Sequence, residues 1–197
     1  MSPQISPFVL FFASIITSNI LLSNFLGMCS FISISRDFKS SHGLGLAVIV
    51  VLTLTCMINW GVYHFILLPL KLHYLRFIVF IVVIAAIVQA LEMIIDRMSP
   101  ALYMTLGIFL PLITVNCAIL GVSLLMQIRK YTFIQSVVYG LGSGLGWWVA
   151  ILCLAAMRKK IEKAPVPAGL KGPGITFITI GLMAMAFLGF SGMLPVQ

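Results

Sequence analysis

Apolar residues fall along this chain in six long runs separated by short polar stretches. The runs cover roughly 7–35, 44–68, 74–95, 101–126, 133–157 and 174–194, each close to the ~20 residues that a helical membrane crossing needs. The connections are short: Arg36 to His42, Pro69 to His73, Asp96 to Pro100, Gln127 to Thr132 and Arg158 to Pro173. The pattern predicts an all-α integral membrane protein of six transmembrane helices in a single membrane domain, 1–197. The first and fourth runs are longer than a crossing requires, which leaves room for a break in each.

The residues inside those two runs point to where the breaks fall. Leu110 to Gly121 reads Leu-Pro-Leu-Ile-Thr-Val-Asn-Cys-Ala-Ile-Leu-Gly. A smooth helix has no reason to carry Pro111, Thr114, Asn116, Cys117 and Gly121 so close together. In hydrocarbon every backbone polar group needs a partner, so an interrupted helix survives only inside a bundle or along a cavity. The first run echoes this with Asn24-Phe25-Leu26-Gly27-Met28-Cys29. Cys29 and Cys117 thus lie in the first span of each half, and Cys56 and Cys153 in the second. If the halves (about 1–98 and 99–197) are repeats, three crossings per half turn one upside down relative to the other. Inverted repeats built on broken helices place their sites near the midplane.

Composition supports the membrane reading and narrows the chemistry. The chain is 61% hydrophobic and 8% charged, against about 25% charged in a soluble domain. So little lies outside the membrane that no soluble catalytic domain fits. The net charge of +8 does not imply nucleic-acid binding, because the basic residues gather in short loops. Loops one, three and five carry Arg36, Lys39, Arg97, Arg158, Lys159, Lys160, Lys163 and Lys171; loops two and four carry Lys71, Arg76, Arg129 and Lys130. That asymmetry predicts cytoplasmic odd loops and both termini outside. Met1 to Pro7 holds no Lys or Arg and so lacks the charged start of a cleaved signal peptide. The four cysteines sit in apolar runs and form no secreted disulfide pattern.

Free cysteine usually behaves as a small buried hydrophobe, and Cys56 and Cys153, in smooth helical contexts, read that way. Cys29 and Cys117 differ, because helix-breaking and amide residues flank them. Two thiolates at facing breaks suit a soft metal such as iron, zinc or copper(I). An iron–sulfur cluster takes about four protein ligands, so two cysteines are half a site. Either Cys56 and Cys153 complete it or a second chain does, and their smooth context favours the second chain. Asn24 and Asn116 either donate to the bound group or satisfy freed backbone, the commoner role for an intramembrane Asn. Gly27 and Gly121 either admit backbone close to the group or serve packing.

Other polar features carry less. Gly140-Leu-Gly-Ser-Gly-Leu-Gly146 follows no strand and opens into Trp147-Trp148 within a span, so it reads as small-xxx-small helix packing, not a nucleotide loop. Gln89, Glu92 and Asp96 end the third span, with Arg97 available to neutralise them; cation handling is the rarer alternative. Asn59 and His64 lie near the outer end of the second span, where His64 reads as interfacial. Ala164 to Pro173, with three prolines, cannot continue a helix and reads as a stiff cytoplasmic connector. No Ser/His/Asp set, phosphate loop or nucleotide fingerprint occurs. A small secondary transporter, with Asn24 and Asn116 at its site, and a purely structural component are the competing classes.

Five stretches resemble one family. Phe25–Cys29, Leu91–Arg97, Leu106–Gly121, Ser136–Trp147 and Gly174–Ala184 look like the E-type subunits of the sodium-translocating NADH:quinone reductase. The sister family is the A-type subunits of the Rnf ferredoxin:NAD oxidoreductase. The resemblance runs nearly the whole chain. It implies a bacterial inner-membrane component of a six-subunit enzyme that passes electrons from NADH to ubiquinone while exporting sodium. It also implies that Cys29 and Cys117 hold half of an intramembrane [2Fe-2S] cluster, the homologous D-type chain supplying the rest, as a relay between flavins. The A-, B-, C-, D- and F-type chains would be its partners, with NADH, quinone and flavins bound on them.

Overall fold

The computed structural model describes residues 6–98, 110–170 and 172–190. All regular structure among them is helical. The first apolar run is divided into α1 (Pro7–Ile15), α2 (Ile20–Asn24) and α3 (Met28–Ile34). The second is α4 (Phe38–Val62), which runs on through one π-helical stretch, Tyr63–Leu67. α5 (Arg76–Met98) follows. The described part of the fourth run holds α6 (Leu110–Thr114) and α7 (Cys117–Ile128); the expected positions 101–109 lie outside the described residues. α8 (Phe133–Ile161) and α9 (Pro173–Leu188) complete the chain. Among the described residues three stretches, Phe38–Leu67, His73–Ile94 and Phe133–Ile161, are individually long and apolar enough to cross a membrane.

Several boundaries depart from the hydrophobic pattern: α5 runs on to Met98, past the expected 95, and α9 ends at Leu188, short of 194. Loop one is shorter than Arg36 to His42, because the Asp37 carboxylate accepts from Ser40 N–H at 3.1 Å and starts α4 at Phe38. The Ser40 bonds hold that carboxyl below its ordinary value. α8 extends past 157 to Ile161, its last turn carrying Arg158, Lys159 and Lys160, where cations complement the carbonyl end of a helix. At its start Thr132 and Gln135 form a reciprocal capping box. The first run contains two interruptions where one was expected.

α4 and α8 form the centre of the bundle. A Cβ on Gly144 would lie 2.9 Å from Ile49 Cα, and one on Gly140 3.1 Å from Cys56 Sγ. The alternate glycines face the other way: a Cβ on Gly142 would lie 3.0 Å from the Phe11 carbonyl, and one on Gly146 3.0 Å from that of Ile15. The glycine run is therefore two stripes on one helix, one receiving α4 and the other α1. Close backbone approach of this kind is how helices associate when burying apolar surface gains nothing over lipid. α2 also packs on α8 and α9, α7 on α4, and α6 on α5. The core between them includes Leu10, Ile20, Leu21, Phe31, Leu52, Val122, Tyr139, Trp147 and Leu154. The last turn of α4 meets the turn after α7, where Trp60 Nε1–H donates to the Tyr131 carbonyl at 3.1 Å.

Candidate metal centre at two facing helix breaks

The first interruption is built by Asn19 and the second by glycine. Asn19 Oδ1 accepts from Leu21 N–H at 3.1 Å and so begins α2. Its Nδ2 donates to the Ile15 and Gly146 carbonyls, at 3.1 and 2.9 Å, satisfying backbone freed at the end of α1. α2 lasts five residues and ends where Phe25 takes a left-handed φ of 53°. Gly27 follows at φ 86°, a conformation only glycine adopts at little cost. α3 then begins at Met28, with Cys29 in its first turn.

The break in the fourth run faces this one. Asn116 Oδ1 accepts from Ala118 N–H at 3.0 Å and caps α7, whose first residue is Cys117. Asn116 Nδ2 donates to Ser30 Oγ at 3.1 Å, and the Ser30 hydroxyl donates to the Gly27 carbonyl at 3.0 Å. The Gly27 N–H donates to Cys117 Sγ at 2.9 Å. Leu26 packs against Gly121 from the other side. Two separate interruptions are thus laced by main-chain and amide bonds, and Cys117 lies against the residue two before Cys29. Asn116 and Ser30 are buried, while both cysteines are exposed. Trp147, the middle residue of the 29-residue α8, backs the Gly27 turn. The pair of breaks therefore sits at mid-height of α8.

Of the expected site residues, Cys29, Gly27, Asn116, Cys117 and Gly121 are gathered here. Asn24 is not: it ends α2 exposed. The amide that does for the first run what Asn116 does for the fourth is Asn19, which the sequence reading missed. Cys56 is fully buried against Gly140, and Cys153 is exposed on α8. Among the described residues no three His, Cys, Asp or Glu side chains come together as a metal site, so neither cysteine completes the set. Along α5 Gln89 and Asp96 are exposed and Glu92 is half-buried. Exposed His64 stacks on Trp60 with ring centroids 4.0 Å apart, as an interfacial residue does. Asn59 is fully buried and donates to Ser123 Oγ at 3.0 Å.

Chemically, the site offers two soft thiol ligands on a surface, held on helices whose first turns are fixed by buried hydrogen bonds. Two comparisons with known proteins bear on it. A family described as "Rnf-Nqr subunit, membrane protein" matches residues 8–194. Over 190 residues the chain is 55% identical to the E subunit of the Na(+)-translocating NADH-quinone reductase of Pasteurella multocida (strain Pm70), covering 93% of this chain and 96% of that protein. The family match takes in both interrupted runs and the glycine stripes of α8, and the chain belongs to the Rnf-Nqr family of membrane-protein subunits.

Proposed function

We propose that this chain is the E-type membrane component of a sodium-translocating NADH:quinone reductase, and that Cys29 and Cys117 supply half the ligands of a [2Fe-2S] cluster shared with a homologous neighbour. The observation that carries the proposal is the exposure of both cysteines at facing breaks stitched together by Gly27, Ser30 and Asn116. The donor set fits half a cluster: two soft sulfurs, at a surface where a second chain can bring two more. When bound, such a group supplies one-electron transfer at mid-membrane, halving a crossing of about 30 Å.

The chain's own residues hold and shape that position. Asn116 and Asn19 satisfy the backbone groups that each interruption frees, a necessity in hydrocarbon. Gly27 lets the turn lie against Trp147 and turns its N–H onto Cys117 Sγ; a hydrogen bond to a ligating sulfur is one of the levers on a centre's potential. NADH, flavins and quinone are proposed to bind elsewhere, among the A-, B-, C-, D- and F-type chains, with the D-type chain against the cysteine face.

The helix contacts support the inverted-repeat reading and its six crossings. The first run packs on α8 and α9 of the second half, and the fourth packs on α4 and α5 of the first. Exchange of halves maps each of these pairs onto the other and α4–α8 onto itself. The excess of cations on loops one, three and five supports cytoplasmic odd loops and outer termini.

The test is electron paramagnetic resonance of the assembled, reduced complex. The reading expects a reduced-cluster signal that Cys29→Ala and Cys117→Ala each abolish and Cys153→Ala keeps. An unchanged signal in both variants sinks it and moves a transport or structural role to the front.

A further inference from the structure

Arginines gather at one end of the bundle, where α3 and α8 stop and α9 begins. A pocket of about 400 Å³ lies there, within the size range of small-ligand sites. Arg36 and Arg158 both line it, with Glu162 and Thr176. Arg158 is half-buried and held in place. Its Nε–H donates to Thr176 Oγ1 at 3.2 Å, and its Nη1 donates to the Ile32 carbonyl at 2.9 Å and to Ser35 Oγ at 2.6 Å. A guanidinium has five N–H groups. Three are used here, and the two on Nη2 have no partner among the described residues. Arg36 is exposed, with no hydrogen bond or ion pair among the described residues.

Like charges thus lie together without an equal countercharge. Arg36 and Arg158 repel one another. Glu162, the one carboxylate among the described lining residues, attracts Arg158 but is exposed and forms an ion pair with neither arginine. The surroundings bring no relief. Lys39, Lys159, Lys160 and Lys163 line the neighbouring cleft, and the Asp37 carboxylate there is engaged by Ser40. Phosphate oxygens suit such a pair of guanidiniums, whose planar forks match phosphate geometry. Ile161, Val166 and Ile175 make another part of the wall apolar. No aromatic ring is among the described lining residues, so a nucleobase has nothing to stack on. The apolar, membrane-length stretch of α8 ends at Ile161, which puts the pocket where hydrocarbon gives way to headgroups. Phosphate beside an apolar wall at that depth is the chemistry of a phospholipid, and basic pockets between helices are where anionic headgroups bind.

We propose that this pocket binds the phosphate of an anionic phospholipid between Arg36 and Arg158, with the start of the acyl chains along Ile161, Val166 and Ile175. The site stands whether or not the cysteine pair carries a cluster.

Photolabelling of the intact complex in phosphatidylcholine nanodiscs tests this. The probe is a trace of phosphatidylglycerol with a diazirine near the glycerol end of one chain, compared with phosphatidylcholine bearing the same chain. Peptide mass spectrometry locates the adducts. The expected result is labelling at Ile161, Val166 or Ile175 that is several-fold higher with phosphatidylglycerol, saturable by the unlabelled lipid, and several-fold lower in Arg36→Gln. Lys39→Gln removes an equal charge from the neighbouring cleft and should keep the labelling. The comparison of the two lipids in the parent stands without either variant. An equal loss in Lys39→Gln overturns the proposal, because it marks diffuse attraction to a basic surface. Absence of adducts at these residues overturns it too, as when a neighbouring chain covers the pocket. So does equal labelling by the two lipids; protection of Arg36 from phenylglyoxal by inorganic phosphate alone would then assign the pocket to the free ion.

Discussion

A Cβ on Gly27 would lie 2.9 Å from the Trp147 indole nitrogen, 3.0 Å from Ala118 Cβ and 3.2 Å from Asn116 Oδ1, and the residue also holds φ at 86°. Backbone strain and lack of room act together there. Gly27→Ala is expected to destabilise by about 1–3 kcal/mol from strain alone, read as a lower melting temperature of the purified complex. Gly181→Ala is the control, since its Cβ meets nothing within 4 Å; it is expected to be neutral or slightly stabilising. Asn116→Ala removes a cap and strands the buried Ser30 bond, at a cost of about 1–2 kcal/mol. Asn24→Ala should leave the melting temperature unchanged, and an equal loss in the two variants would contradict the placement of Asn24. The cysteines, Gly27, Asn116 and Gly121 were legible in the sequence because breakers and amides in an apolar run have few purposes. Asn19 was not, because its role depends on α1 ending at Ile15, which nothing in Phe-Ala-Ser-Ile-Ile-Thr announces. A left-handed Phe25 is equally invisible, since only glycine advertises that conformation.

At the scale of elements, α8 orders the rest. Its two glycine stripes were read from the sequence as packing surfaces, and each receives the helix that spacing allows. Gly144→Leu is expected to block assembly outright, because its side chain would enter the backbone of α4 at Ile49; full-yield assembly would show that the α4–α8 contact is loose. Arg158 near the other end of α8 does a job that the charge pattern along the chain assigned only to orientation. Its guanidinium donates to the Ile32 carbonyl at 2.9 Å, Ser35 Oγ and Thr176 Oγ1, fastening the end of α3 to α8 and α9. Arg158→Ala should cost about 1–3 kcal/mol and speed hydrogen exchange in Phe31–Ser35 while α1 exchange stays unchanged. Uniformly faster exchange would mean a general loss of packing.

For the molecule as a whole, charge and sulfur placement make separate claims. Helical class and the three long spans, Phe38–Leu67, His73–Ile94 and Phe133–Ile161, were legible because apolar runs of membrane length have one common explanation. The meeting of the two breaks was only inferable, since it depends on long-range bonds between Gly27, Ser30, Asn116 and Cys117. A large apolar surface on α5, including Phe77, Ile78, Val82 and Met93, stays exposed, as expected of a chain that meets lipid and neighbouring chains. The central claim is that Cys29 and Cys117 ligate a shared cluster. Iron and acid-labile sulfide per assembled complex, compared between the parent and Cys117→Ala with flavin content as the measure of assembly, test it most directly. The account predicts the loss of about two irons and two sulfides with flavins retained. Unchanged iron and sulfide in an assembled, active Cys117→Ala complex would contradict it.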